Sequence, residues 1–129
     1  MNRASVFAVE PDARFELRPS TVPGAGAGVF ALCALAPGAE LEVIGVLVER
    51  DSPADLCSHF ADHHKFVVGE RFLLIPLGFG GMVNHSVTPN VVHEVRGDRV
   101  FLRTARPIAA GEELFLCYRP SALERMGLA

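Results

Sequence analysis

The densest set of hydrogen-bonding side chains in this 129-residue chain is Asn84-His85-Ser86, with Thr88, Pro89 and Asn90 close behind. An Asn carries a donor and an acceptor on one planar group, and a neutral His adds one of each, so the pair can grip a polar ligand from both sides. The same residue types also bond readily to nearby backbone, so a polar turn between strands is the plain alternative. A second stretch, Pro23-Gly24-Ala25-Gly26-Ala27-Gly28, sets glycines at alternate positions and allows another group to approach the backbone closely. No Lys-Ser/Thr follows it, so it is not a phosphate loop. The third feature is Tyr118, the only tyrosine, which ends the apolar run from Leu114 to Cys117. A tyrosine so placed can pack its ring and still offer its hydroxyl.

Other chemistries find less support. Cys57, His59, His63 and His64 are close in sequence, and His59 and His63 stand one helical turn apart. A structural zinc needs about four ligands with a clear second pair, and no such pair stands nearby, so a polar helix face is expected and no metal. Glu112 and Glu113 are adjacent, and neighbours on a strand point to opposite faces, which argues against a paired-carboxylate hydrolase. Ser86 lacks the flanking glycines of a nucleophile elbow.

The composition suits a single globular domain spanning residues 1–129, with 50% apolar and 21% charged residues. A net charge of −3 gives no general basic field, so no direct nucleic-acid binding is expected. The apolar runs fall well short of the ~18 residues of a membrane span. The start of the chain lacks the apolar segment of a secretory signal. Cys33, Cys57 and Cys117 match no disulfide framework, so a reducing cytoplasmic setting is the expectation.

These groups must be positioned by short strands. Phe15 to Arg18 alternates with period two, and Leu41 to Val48 reads as one strand. Lys65–Val68 and Arg71–Ile75 flank a Gly69-Glu70 turn, and Val91–Val95 and Arg99–Arg103 flank Arg96-Gly97-Asp98, giving two hairpins. Ala36-Pro37-Gly38-Ala39-Glu40-Leu41 and Ala109-Ala110-Gly111-Glu112-Glu113-Leu114 share the pattern Ala-x-Gly-x-Glu-Leu, each a glycine turn feeding a strand. Ser52-Pro53-Ala54-Asp55 starts a helix expected to run to about His64. Ser121-Ala122-Leu123-Glu124 opens a second short helix over 121–127. Residues 1–12 read as a loose leader or edge strand. The fold class expected is mainly β with two short helices.

Taken in order, three segments resemble the SET domain, the fold of many protein-lysine methyltransferases. They are Gly26-Ala27-Gly28-Val29-Phe30-Ala31, the run Asn84-His85-Ser86-Val87-Thr88-Pro89-Asn90, and Gly111-Glu112-Glu113-Leu114 leading to Tyr118. The resemblance covers roughly residues 14–119. It implies a β-clip fold of small curved sheets whose C-terminal segment threads through a loop as a pseudoknot. It further implies that S-adenosylmethionine lies against Ala25, Gly26, Ala27 and Gly28, with Asn84 on its methionine end and the His85 backbone at its adenine. Tyr118 would be the catalytic residue, aligning the methyl group with the amine of a lysine-containing protein or peptide. Phe72, Phe79, Phe115 and Leu116 are the expected walls of the lysine channel. The chain departs from many family members in lacking a cysteine-rich segment after Tyr118 and a tyrosine before Gly45. A minimal member of this kind could complete its site across a homodimer, or serve as a non-catalytic peptide-binding module.

Overall fold

The computed structural model describes residues 9–62 and 64–118. Ten short strands follow in order: β1 (Phe15–Pro19), β2 (Ala27–Ala31), β3 (Glu40–Val43), β4 (Gly45–Glu49), β5 (Phe66–Val68), β6 (Phe72–Pro76), β7 (Asn84–His85), β8 (Val91–Arg96), β9 (Arg99–Thr104) and β10 (Phe115–Leu116). They form four small sheets rather than one: β1-β2, β3-β9-β8, β4-β6-β5 and β10-β7. The fold is mainly β.

Both expected hairpins are present. β8 and β9 pair antiparallel with Val91 opposite Thr104 and Arg96 opposite Arg99, and β5 pairs β6 with Phe66 opposite Leu74. The stretch Leu41–Val48, by contrast, is two strands in two sheets. Glu40–Val43 pairs with β9, and after Ile44 the chain crosses so that Gly45–Glu49 pairs with β6. The apolar run Val43-Ile44-Gly45-Val46-Leu47-Val48 continues across the break, so the sequence alone does not mark it.

The helix expected from Pro53 to about His64 is shorter. α1 spans only Pro53–Leu56, capped by Ser52 with Pro53 at its start, and a separate 3-10 turn covers His59–Ala61. The Ser58 hydroxyl donates to the carbonyls of Ala54 at 2.6 Å and Asp55 at 3.1 Å, taking acceptors that a continuing helix would need. The second expected helix, 121–127, lies outside the described residues, as do residues 1–8 and His63.

The core joins the sheets. Val29 and Ala31 of β2, Val100 and Leu102 of β9, and Ile108 and Leu114 from the closing segment are all nearly inaccessible. The two Ala-x-Gly-x-Glu-Leu turns lie side by side, with Leu35 and Ile108 exchanging backbone hydrogen bonds at 2.8 and 2.9 Å.

Candidate functional site

Residues 112–118 run between two partners. On one side Ala31 N–H donates to the Glu112 carbonyl and Leu114 N–H to the Val29 carbonyl. On the other, β10 lies parallel to β7, Phe115 opposite Asn84 and Leu116 opposite His85. Asn90 fastens the crossing. It is fully buried, its Nδ2 donates to the Glu113 carbonyl at 2.8 Å, and its Oδ1 accepts the Phe115 N–H at 2.7 Å. An asparagine amide meets a backbone donor and acceptor as another strand would. The loop 83–90 and the segment 112–118 are thereby drawn together.

This crossing places Tyr118 beside His85. The rings lie 5.3 Å apart, and the Tyr118 N–H donates to His85 Nδ1 at 2.9 Å. A backbone N–H can only donate, so Nδ1 is the bare nitrogen of the His85 ring. The Tyr118 hydroxyl donates to the Val83 carbonyl at 2.6 Å. Burial pushes this phenol up to about 12, so it is neutral throughout the physiological range.

Tyr118 lines an open cleft with Phe66, Pro76, Gly81, Val83 and Leu116 among its walls. His64 and His93 also border it, and among the described residues no carboxylate does. Lys65 also borders the cleft, and its ammonium is buried, donating to Asp55 Oδ1 at 2.7 Å and Asp62 Oδ1 at 2.6 Å. Of the four wall residues expected, Leu116 lines the cleft. Phe79 instead packs against Phe15 in the core, with ring centroids 5.8 Å apart, and Phe72 and Phe115 are not among the lining residues.

On the other side of the crossing, Asn84 meets the glycine segment. Its Nδ2 donates to the Ala27 carbonyl at 3.0 Å and to Glu113 Oε2 at 3.2 Å. Ala25 and Gly26 are exposed, and Gly26 takes a positive φ of 74°. Gly28 is different. It is buried in β2, and a Cβ there would fall 2.2 Å from Glu113 Oε2, so glycine is needed for the carboxylate beneath it. Six of the seven expected site residues are thus open or half-buried around Asn84 and Tyr118, and the seventh packs beneath them.

The residue that sequence reasoning passed over is Glu113. It is only 4% exposed and accepts from Ser20 Oγ, Thr21 N, Thr21 Oγ1 and Asn84 Nδ2, at 2.6 to 3.2 Å. Burial pushes its pKa up, but the donors of Thr21, Ser20 and Asn84 outweigh that and hold it below the usual carboxylate range. Its neighbour Glu112 lies apart from Asn84, accepting from Arg106 at 2.9 Å, the Ala109 N–H at 3.0 Å and Asn90 Nδ2 at 3.2 Å. Among the described residues, no three His, Cys, Asp or Glu side chains are placed to share a metal.

A family model described as the SET domain matches residues 26–119. Among solved structures, the chain is similar to a Plasmodium falciparum protein assigned as a histone methyltransferase. The match has a TM-score of 0.64 and 22% identity, and covers 84% of this chain and 96% of that one. It is also similar to the methyltransferase domain of human PR domain-containing protein 2, with a TM-score of 0.68 and 19% identity, covering 84% and 78% respectively. No curated protein sequence matches.

Proposed function

The chain belongs to the SET-domain family, and from that premise we propose that it is an S-adenosylmethionine-dependent protein-lysine N-methyltransferase. The observation that carries this reading is the meeting of the two sides at one crossing. A glycine segment and Asn84 lie on one side, and a neutral tyrosine hydroxyl at an apolar cleft lies on the other.

The residues present fit the cofactor. Asn84 Oδ1 accepts no hydrogen bond from the described residues, and in the adjoining segment Ala25 and Gly26 are exposed and Ala27 is half-buried. These groups and the His85 backbone would hold the cofactor, with Gly28 supporting them from below. When bound, it supplies a sulfonium-activated methyl group, so the protein has to align and desolvate rather than activate. Lysine must react as the neutral amine. At pH 7 that costs about 4–5 kcal/mol for a free side chain with a pKa of ~10.4. A cleft walled by Phe66, Pro76, Val83 and Leu116, with no carboxylate among its described lining, disfavours the ammonium and lowers that cost. Tyr118 orients the amine through its hydroxyl oxygen while its proton is held by the Val83 carbonyl. The substrate class is a protein or peptide carrying an accessible lysine.

Calorimetric titration with S-adenosylmethionine and S-adenosylhomocysteine tests the reading first. Micromolar binding to the wild type, lost in Asn84→Ala, is the expected result, and no binding at millimolar ligand refutes it. Methyl transfer to a panel of lysine peptides then separates an enzyme from a non-catalytic module. The assay has an inherently low background, because Lys65 is the only lysine in the chain and its side chain is 1% exposed.

A further inference from the structure

The Asn84 side chain has one orientation available to it, and Glu113 is the reason. Two protein groups face its Nδ2: the Ala27 carbonyl and Glu113 Oε2. A carbonyl and a carboxylate can only accept, so the amide nitrogen must point at them. The flipped amide would set Oδ1 against two oxygens. With both N–H bonds directed inward, Oδ1 is the one amide atom without a partner among the described residues. It can accept from a ligand but cannot donate to one.

We propose that Glu113 is a positioning residue for the cofactor: its buried carboxylate locks the Asn84 amide so that Oδ1 is presented to the ammonium of the methionine moiety rather than to its carboxylate. The proposal rests on the cofactor reading above. Three features fit it. Glu113 is held from its far side by Thr21 N and Thr21 Oγ1 on Oε1, while Ser20 Oγ and Asn84 share Oε2. Its place under β2 is kept clear by Gly28, where any Cβ would collide with Oε2. It also adjoins the crossing, with its backbone carbonyl held by Asn90. The carboxylate is therefore fixed before any ligand arrives, and the Asn84 amide need not reorganise on binding.

Glu113→Gln tests this, because a glutamine amide can present either end to Asn84 and no longer enforces its orientation. Thr21→Val serves as the second variant, removing one donor to Glu113 without touching Asn84. The ligands are S-adenosylhomocysteine and 5′-methylthioadenosine, which shares the adenosine but lacks the amine and carboxylate. Titration should show Glu113→Gln binding S-adenosylhomocysteine about tenfold more weakly with 5′-methylthioadenosine unaffected, and Thr21→Val binding both as wild type does. Wild-type affinity for S-adenosylhomocysteine in Glu113→Gln, an equal loss of both ligands, or the same loss in Thr21→Val would overturn the proposal. A readout on the free protein separates this from the function itself. The Asn84 side-chain amide protons should exchange slowly with solvent in the wild type and faster in Glu113→Gln. If the wild type binds neither ligand, the cofactor reading falls. Equal exchange rates in the two proteins sink the positioning role on their own.

Discussion

In the proposed function Tyr118 is the residue on which the chemistry would turn, and its environment decides what it can do. Burial raises its phenol to about 12, and its proton is committed to the Val83 carbonyl at 2.6 Å. A phenol neutral across the assay range cannot be the base that deprotonates lysine at pH 7–9. On the proposed reading, a rise of rate with pH would therefore report the substrate amine, whose pKa an apolar cleft would lower from ~10.4. Tyr118→Phe is expected to lower kcat by roughly a hundredfold through lost alignment, while leaving the midpoint of the pH–rate curve in place. A midpoint that moves in the variant would show that the hydroxyl takes part in proton transfer. Asn84, His85 and Tyr118 were legible because their residue types stand out against apolar neighbours. Glu113 was not, because Gly-Glu-Glu offers two equivalent carboxylates. Which one is buried depends on Ser20 and Thr21, more than ninety positions away.

At the scale of elements, the crossing of β7 and β10 depends on little regular structure. Each strand is two residues long, too short to hold the segment 112–118 in place by ladder bonds alone. Asn90 supplies what the strands do not, satisfying the Phe115 N–H and the Glu113 carbonyl in a buried setting. Asn90→Ala leaves both groups without partners and should cost about 2–4 kcal/mol in urea denaturation. Asn84→Ala, at a half-buried position, should cost less. A loss under ~1 kcal/mol for Asn90→Ala would mean that water replaces the side chain and that the crossing is held by other contacts. The hairpins were legible because alternation and turn residues are local signals. The break at Ile44 and the early end of α1 were not. The first is a change of sheet within a continuous pattern, and the second is set by a serine hydroxyl competing for helix carbonyls.

Over the whole molecule, two buried charge clusters secure the two sides of the site and should respond to acid together. Glu113 ties the segment at Ser20 and Thr21 to Asn84 on the proposed cofactor side. Lys65, joined to Asp55 and Asp62, ties the segment leading into β5 to the region of α1 behind the cleft. Hydrogen bonding from Lys65 holds the Asp55 carboxyl below its usual range, and the Thr21, Ser20 and Asn84 donors do the same for Glu113 against its burial. Burial pushes Lys65 down, but the two aspartates outweigh it and hold its pKa above the usual value. The signs follow from linkage. Carboxyls depressed in the folded state contribute stability that is present above their unfolded values of about 4, and it is lost as pH falls through the folded ones. The raised lysine contributes stability that is present below ~10.4 and is lost only at more alkaline pH. The thermal midpoint should therefore be level from about pH 5 to 9 and fall steeply below about 4. Glu113→Gln should start lower at neutral pH and fall less steeply in acid, because its carboxylate no longer takes up a proton on unfolding. Melting curves across this range, recorded on both proteins, decide the matter. Equal acid slopes would show that Glu113 is not one of the groups whose protonation drives unfolding.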